Sequence, residues 1–428
     1  MQIPGRPTRA GARALSLLRD AGVPYLAHAD EATLRALALG LRAALRRTIA
    51  RPLAAPSGAL QVTFAPLGAD DVVTLLPDNA EAFDARCALV DGASRTLDCA
   101  LYYLADDATG ARFAGALARA ATRGVRVRLA VDTYASQEKQ FGPFGFHAAD
   151  RGALVLLDRL RAAGVDVREV GSDRFCMHRK FLIADGAQLL FGGRNVADHY
   201  ASPGWRDLEL SVRGPVVESL APVVNATFDD ATKPVAASPG VVPGVPGRRG
   251  RAYARAFETL VARARRSVDI EHAYVLEHDW LVSALRDAVR RGVRVRLLTN
   301  SAESNDLPFM NWRAAVTLEA LLAAGVEIYR RTGSGATLHT KLVVGDRRTV
   351  LFGSTNLDYY SPIYGAELDL ALESESLGDA LVTTIELGLA EPTTKAIPCG
   401  GVERALLERE RRGWSVSRAF DLLLHDIQ

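Results

Sequence analysis

The chain has 428 residues, 48% hydrophobic and 24% charged, too many for one ordinary domain and suited to two lobes that each bury a core. Its 52 basic and 50 acidic residues leave a net charge of +2, which argues against a dedicated non-specific nucleic-acid binder, since phosphate contacts usually need a large basic excess. Four cysteines (Cys87, Cys99, Cys176, Cys399) show no paired spacing, so neither a zinc centre nor a disulfide framework is expected and a reducing cytoplasm fits best.

Residues 1–71 read as a helical extension. Leu34, Leu37, Leu41 and Leu45 recur at helical spacing, and Arg42, Arg46, Arg47 and Arg51 cluster at the end of that stretch. The pattern suits a helix packed on the first lobe, or a basic amphipathic helix lying on anionic lipid; packing is the commoner fate. The stretch has no uninterrupted apolar h-region or cleavage site, and no run of about 18 apolar residues offers a membrane span.

The first lobe is placed at 72–232. It opens on a strand near Val72, then a helix over Phe83–Gly92 and a strand over Arg95–Leu104. A second helix, Phe113–Arg123, stops at Gly124 before a strand at Val125–Asp132; a third, Leu154–Ala163, stops at Gly164 before Val165–Val170. This alternation predicts an α/β lobe with a mostly parallel central sheet flanked by helices. Residues 233–250 are rich in Pro and Gly and read as a linker; Arg248, Arg249 and Arg251 make a solvated basic turn or a contact for anionic head groups. The second lobe, 251–395, repeats the first: Arg291–Leu297 is RGVRVRL, identical to Arg123–Leu129, and Arg266–Leu276 answers Arg95–Leu104. Residues 396–428 read as a C-terminal helical segment anchored by Trp414.

The stretch that organises the chain is Cys176–Asn195, CMHRKFLIADGAQLLFGGRN. His178 and Lys180 are two apart, so on a strand both leave the same face; Asp185 lies in a turn, and Gly192-Gly193-Arg194-Asn195 closes a second strand. Leu338–Asn356 repeats the order, with His339, Lys341, Asp346, Gly353 and Asn356 each 161 positions beyond its counterpart. Two structural hairpins with incidental histidines would not keep one offset across five such positions.

His-x-Lys-x4-Asp followed by Gly-Gly/Ser-x-Asn, twice in one chain, resembles the phospholipase D superfamily. Trp205-Arg206-Asp207 after the first motif, and Asn356-Leu357-Asp358 closing the second, make it similar to the bacterial cardiolipin synthase branch, over roughly Leu75 to Glu375. The resemblance implies two duplicated α/β lobes related by a pseudo-two-fold axis, with one active site between them. It implies phosphatidyl transfer between phosphatidylglycerol-type lipids through a covalent phosphohistidine, with a phospholipase D hydrolase, or a nuclease or other phosphodiesterase, as alternatives. The phospholipid would be met on a membrane surface by a peripheral cytoplasmic protein, with no nucleic acid and no cofactor. Many cardiolipin synthases carry two N-terminal membrane helices, a pattern from which this sequence departs.

The residue types suit that chemistry. Lys180 and Lys341, with Asn195 and Asn356, neutralise phosphoryl oxygens from both sides. One imidazole attacks phosphorus while the other protonates the leaving alkoxide, and the second then deprotonates the acceptor. Asp207 and Glu367 match the family as orienting acceptors, but which histidine each serves is open. Asp185 and Asp346 are accessory, more structural than catalytic, and Ser354 offers one further hydroxyl donor. His178 is the expected nucleophile, because Gly192-Gly193 lets backbone approach an adduct, and His339 the expected acid and base. His272 is a weak accessory candidate. The loops Thr133–Asp150 and Asn300–Trp312, with Phe141, Phe144, Phe146, Phe309 and Trp312, are either apolar lips for acyl chains or local mini-cores. No residue set shows metal-ligand spacing.

Overall fold

The computed structural model describes residues 62–397, apart from 133–134, 136–150, 173–174, 236–237, 247–250, 277, 307 and 359–360. The N-terminal helix, the aromatics of the 133–150 loop, the side chains of Phe309 and Trp312, the arginines near 250, Cys399 and the segment around Trp414 lie outside the described residues.

The strands are β1 (Ala65–Pro66), β2 (Val72–Leu76), β3 (Thr96–Leu101), β4 (Arg126–Asp132), β5 (Asp166–Ser172), β6 (Phe175–Met177), β7 (Phe181–Ala184), β8 (Gln188–Gly192) and β9 (Glu209–Arg213). The series continues with β10 (Val241–Pro243), β11 (Ser267–His272), β12 (Arg294–Asn300), β13 (Glu327–Arg331), β14 (Lys341–Gly345), β15 (Thr349–Gly353), β16 (Gly365–Ala366), β17 (Leu368–Glu373) and β18 (Thr394–Ile397). In the first lobe they order as β16-β6-β5-β4-β3-β7-β8-β9-β2, and in the second as β1-β17-β15-β14-β11-β12-β13-β18.

Each lobe is α/β, but the mostly parallel sheet is corrected to a mixed one. Only β3, β4 and β5, and likewise β11, β12 and β13, run parallel at the centre. Helices α1 (Ala108–Thr122) and α2 (Arg151–Ala162) make those crossovers in the first lobe. Asp107 caps α1 by accepting from the Gly110 N–H at 2.8 Å. The His-containing repeat is instead a hairpin, and short hairpin loops join only antiparallel strands. β7 and β8 are therefore antiparallel, and β7 docks antiparallel on β3 while β9 docks antiparallel on β8. The segment expected as linker also carries structure: β10 pairs antiparallel with β17 at that sheet's edge, where Pro243 is tolerated.

The lobes are laced together. β16, from the second lobe's sequence, pairs with β6 of the first. Arg206 answers from the first lobe, bridging to Leu338 of the second. Between the two sheets lies a shared core, in which Phe181, Phe191 and Leu210 meet Leu342, Phe352 and Leu370. Phe191 and Phe352, one from each copy, stack edge to face with centroids 5.8 Å apart. Each lobe also buries its own apolar cluster on the far face of its sheet.

Candidate active site

The laced strands set both histidines at the seam. His178 follows β6, and its N–H donates to Ala366 O at 2.9 Å; the His339 N–H donates to Arg206 O at 2.7 Å, the same contact with the lobes exchanged. The next residue on each crossing strand is the carboxylate. Nδ1–H of His178 donates to Glu367 with both oxygens at 2.9 Å, and Nδ1–H of His339 donates to Asp207 Oδ2 at 2.9 Å. Each histidine is thus held by the opposite lobe. Holding Nδ1–H leaves Nε2 as the free basic nitrogen on both rings.

Lys180 and Lys341 are both 1% exposed, and each Nζ donates to the carbonyl of its own motif histidine. Burial pushes Lys180 down to about 7 and Lys341 down to about 8. Burial, then Lys180 and Lys341, drive His178 well below the usual imidazole range; burial and Lys341 bring His339 down to about 4. The site therefore holds two neutral imidazoles among cationic groups, an arrangement that an anionic phosphodiester would relieve.

The two carboxylates differ. Burial raises Glu367 to about 7. Burial alone would raise Asp207 too, but the bond from the His339 Nδ1–H and the charges of Arg194 and Lys341 hold it below the usual carboxylate range. Aromatic rings line the seam: Tyr102 is edge-on to His178 at 5.0 Å, while Trp205 and Tyr200 lie 5.2 and 5.6 Å from His339.

Several expectations change. Ser354 Oγ donates to Glu367 Oε2 at 2.5 Å, so its hydroxyl steadies the glutamate instead of facing substrate. Gly193, in the matching place, makes room for the other acid: a Cβ there would sit 2.8 Å from both Asp207 oxygens. Gly193 thus answers to Asp207, and Gly192 to the Leu208–Glu209 backbone. Asp185 and Asp346 adopt positive φ in the hairpin turns, at the far ends of β7 and β14 from the histidines. Asp185 accepts the N–H groups of Ser94, Arg95 and Thr96, and Asp346 those of Arg265, Arg266 and Ser267, so both tie backbone. Asn195 accepts from the Tyr103 N–H at 3.2 Å and donates to Tyr200 OH at 2.7 Å, whereas Asn356 Oδ1 is buried without a partner among the described residues. His272 is fully buried on β11.

Residues missed from sequence include Tyr102, Tyr200, Tyr274 and Asp306. Tyr102 and Tyr274 follow equivalent strands, β3 and β11, a signal the repeat carried. Among the described residues, no group of three or more His, Cys, Asp and Glu side chains is placed to hold a metal ion.

Residues 87–207 and 258–386 match the family described as "Cardiolipin synthase, PLD-like domain", one copy centred on each motif. The chain belongs to this phospholipase D-like family. Among its relatives, cardiolipin synthase C of Escherichia coli (strain K12) is 27% identical over 402 residues, covering 72% of this chain and 82% of the relative. Cardiolipin synthase A of Pseudomonas aeruginosa is 29% identical over 363 residues, covering 78% and 70%. The crystal structure of phosphatidylserine synthase from Haemophilus influenzae Rd KW20 superposes with a TM-score of 0.63 at 13% identity, covering 82% and 94%, a likeness of fold. The phospholipase D-like lobes are therefore an enzyme's, and their duplication is the internal repeat seen in the sequence. No helix among the described residues is long and apolar enough to cross a membrane.

Proposed function

We propose that this chain transfers a phosphatidyl group between phosphatidylglycerol-type lipids through a phosphohistidine, working at a membrane surface as a peripheral, cytoplasmic protein. The observation that carries the reading is the reciprocal pairing of His178 with Glu367 and His339 with Asp207, across a seam that also buries Lys180 and Lys341. The relatives named cardiolipin synthases supply the substrate class.

In the first step His178 Nε2 attacks phosphorus and the bond to the leaving alkoxide breaks, taking the proton from His339. Burial and, after it, Lys341 keep His339 neutral; the bound phosphodiester offsets the lysine repulsion and so favours the charged imidazole. Ionised Asp207 stabilises that imidazolium, which suits His339 to the acid role. In the second step His339 Nε2 takes the proton of the acceptor hydroxyl, its oxygen bonds to phosphorus, and the phosphorus–nitrogen bond breaks. The four site cations and amides stabilise the charge spread over the phosphoryl oxygens.

Incubation with phosphatidylglycerol vesicles and, in parallel, plasmid DNA tests this. Cardiolipin plus glycerol is the expected product, with DNA intact and the protein sedimenting with vesicles until high salt releases it. Phosphatidic acid alone would make it a hydrolase. Nicked plasmid with unchanged lipid would make it a nuclease.

A further inference from the structure

Asp306 is an exposed carboxylate fixed beside buried machinery. The turn before it is rigid: Ser301, Ser304 and Asn305 are buried, the Asn305 N–H donates to Ser301 O at 3.1 Å, and Ser304 Oγ donates to Arg331 O at 3.0 Å. Asp306 is oriented from below by Tyr274, whose hydroxyl donates to the carboxylate with oxygens at 2.8 and 2.9 Å. Tyr274 is 5% exposed, and its ring stands edge-on to His339 with centroids 6.5 Å apart and lies 5.9 Å from Lys341 Nζ. Through Tyr274 the carboxylate is thus tied to His339's side of the seam.

A carboxylate there is poorly suited to phosphate, whose oxygens it repels. Ionised, it is acceptor-only, and the neutral donors that an entering alcohol brings are hydroxyls. One hydroxyl must face His339 to lose its proton. A second, on the adjoining carbon, is the group left for Asp306.

We propose that Asp306, oriented by Tyr274, selects the acceptor: it takes a hydrogen bond from the second hydroxyl of a vicinal diol whose first hydroxyl His339 deprotonates. This rests on the transfer reading. In the step concerned, the first hydroxyl gives its proton to His339 Nε2, its oxygen bonds to phosphorus, and the bond from phosphorus to His178 Nε2 breaks with its electron pair returning to the imidazole. The second hydroxyl keeps its proton throughout.

The test supplies wild type and Asp306→Asn with phosphatidylglycerol vesicles and equal concentrations of 1,2-propanediol and 1-propanol in one reaction. Mass spectrometry then gives the ratio of the two alkyl products. Asparagine keeps an oxygen for Tyr274 and nearly the same volume while removing the charge. Wild type is expected to favour the diol, and the ratio to fall about tenfold in the variant, as for loss of a charge-assisted hydrogen bond. Both products share one intermediate in one tube, so the folded fraction cancels. A ratio unchanged within about twofold, a wild type with no diol preference, or a variant that loses both products overturns the inference. A wild type that makes neither alkyl product sinks the transfer reading with it; propanol product without diol preference sinks this inference alone.

Discussion

At the scale of the residue, the lysines carry the sharpest consequences. Lys341 is buried and, among the described residues, its Nζ has only a carbonyl to donate to, so its charge costs folding energy that function requires. Lys341→Met should lower kcat by about 10²–10³, the loss of one phosphoryl-oxygen donor, while raising thermal stability at pH 7. Below pH of about 8 both folded and unfolded lysine are charged; from there to the ordinary value of 10.5 the unfolded chain binds more protons. Wild type therefore gains stability over that window and the variant's advantage shrinks, which denaturant titrations at several pH values would show. Equal or lower stability at pH 7 would contradict the account of a desolvated cation.

The pH profile follows from the same groups. Below about 7 Glu367 takes a proton, and its O–H would donate to His178 Nδ1, moving the imidazole proton to Nε2 and removing the nucleophile. Above about 7 to 8 Lys180 and then Lys341 lose their charge. The kcat/KM profile should be a narrow bell between about 7 and 8, and Glu367→Gln should be poorly active across it, because Ser354 Oγ–H claims the amide oxygen and turns the NH2 to donate to Nδ1. A flat profile from pH 6 to 9 would rule this out. His178, Lys180, Asn195 and their copies were legible because the repeat kept their spacing. The pairing of each histidine with the opposite carboxylate was not, since a constant offset relates two copies without saying which surfaces meet. Ser354 misled for a related reason: a hydroxyl in a motif shows what it can donate, and only its 2.5 Å bond shows that the partner is Glu367.

At the scale of the element, the hairpin that carries each motif explains both what the sequence revealed and what it hid. Helix stops at Gly124 and Gly164 and the strands between them were readable from local pattern, and α1, α2 and β4 lie within a few residues of those positions. The mixed sheet was not, because β-α alternation gave way to a hairpin whose pairing edge, on β3, is a tertiary choice. β10 escaped for a similar reason: three residues between prolines and glycines form a strand only because the β17 edge is present to pair with. The close approach of β8's end to Asp207 also makes a prediction. Gly193→Ala places a methyl against both Asp207 oxygens and must push that carboxylate away from His339. Turnover should fall at least tenfold with KM little changed, and stability should drop by about 1–3 kcal/mol from overpacking. Steady-state kinetics with wild-type turnover in the alanine variant would show that Asp207 is not held where His339 needs it.

At the scale of the whole molecule, duplication supplies what one lobe lacks. A single copy holds one imidazole and one lysine, and the acid that orients its histidine belongs to its partner. The core shared through Phe191 and Phe352 keeps that seam closed. Symmetry is broken at the site itself, where His339 lies 6% exposed beside ionised Asp207 and His178 is 13% exposed beside Glu367. That difference favours His178 as the group open to attack phosphorus and His339 as the proton carrier. The most direct measurement is mass spectrometry of acid-free, denaturant-quenched reactions with a phosphatidyl ester of a good leaving group. His339→Asn should accumulate a phosphatidyl adduct on His178, and His178→Asn should form none. An adduct on His339 with none on His178, or no adduct in either variant while wild type still turns over, would contradict the shared phosphohistidine site.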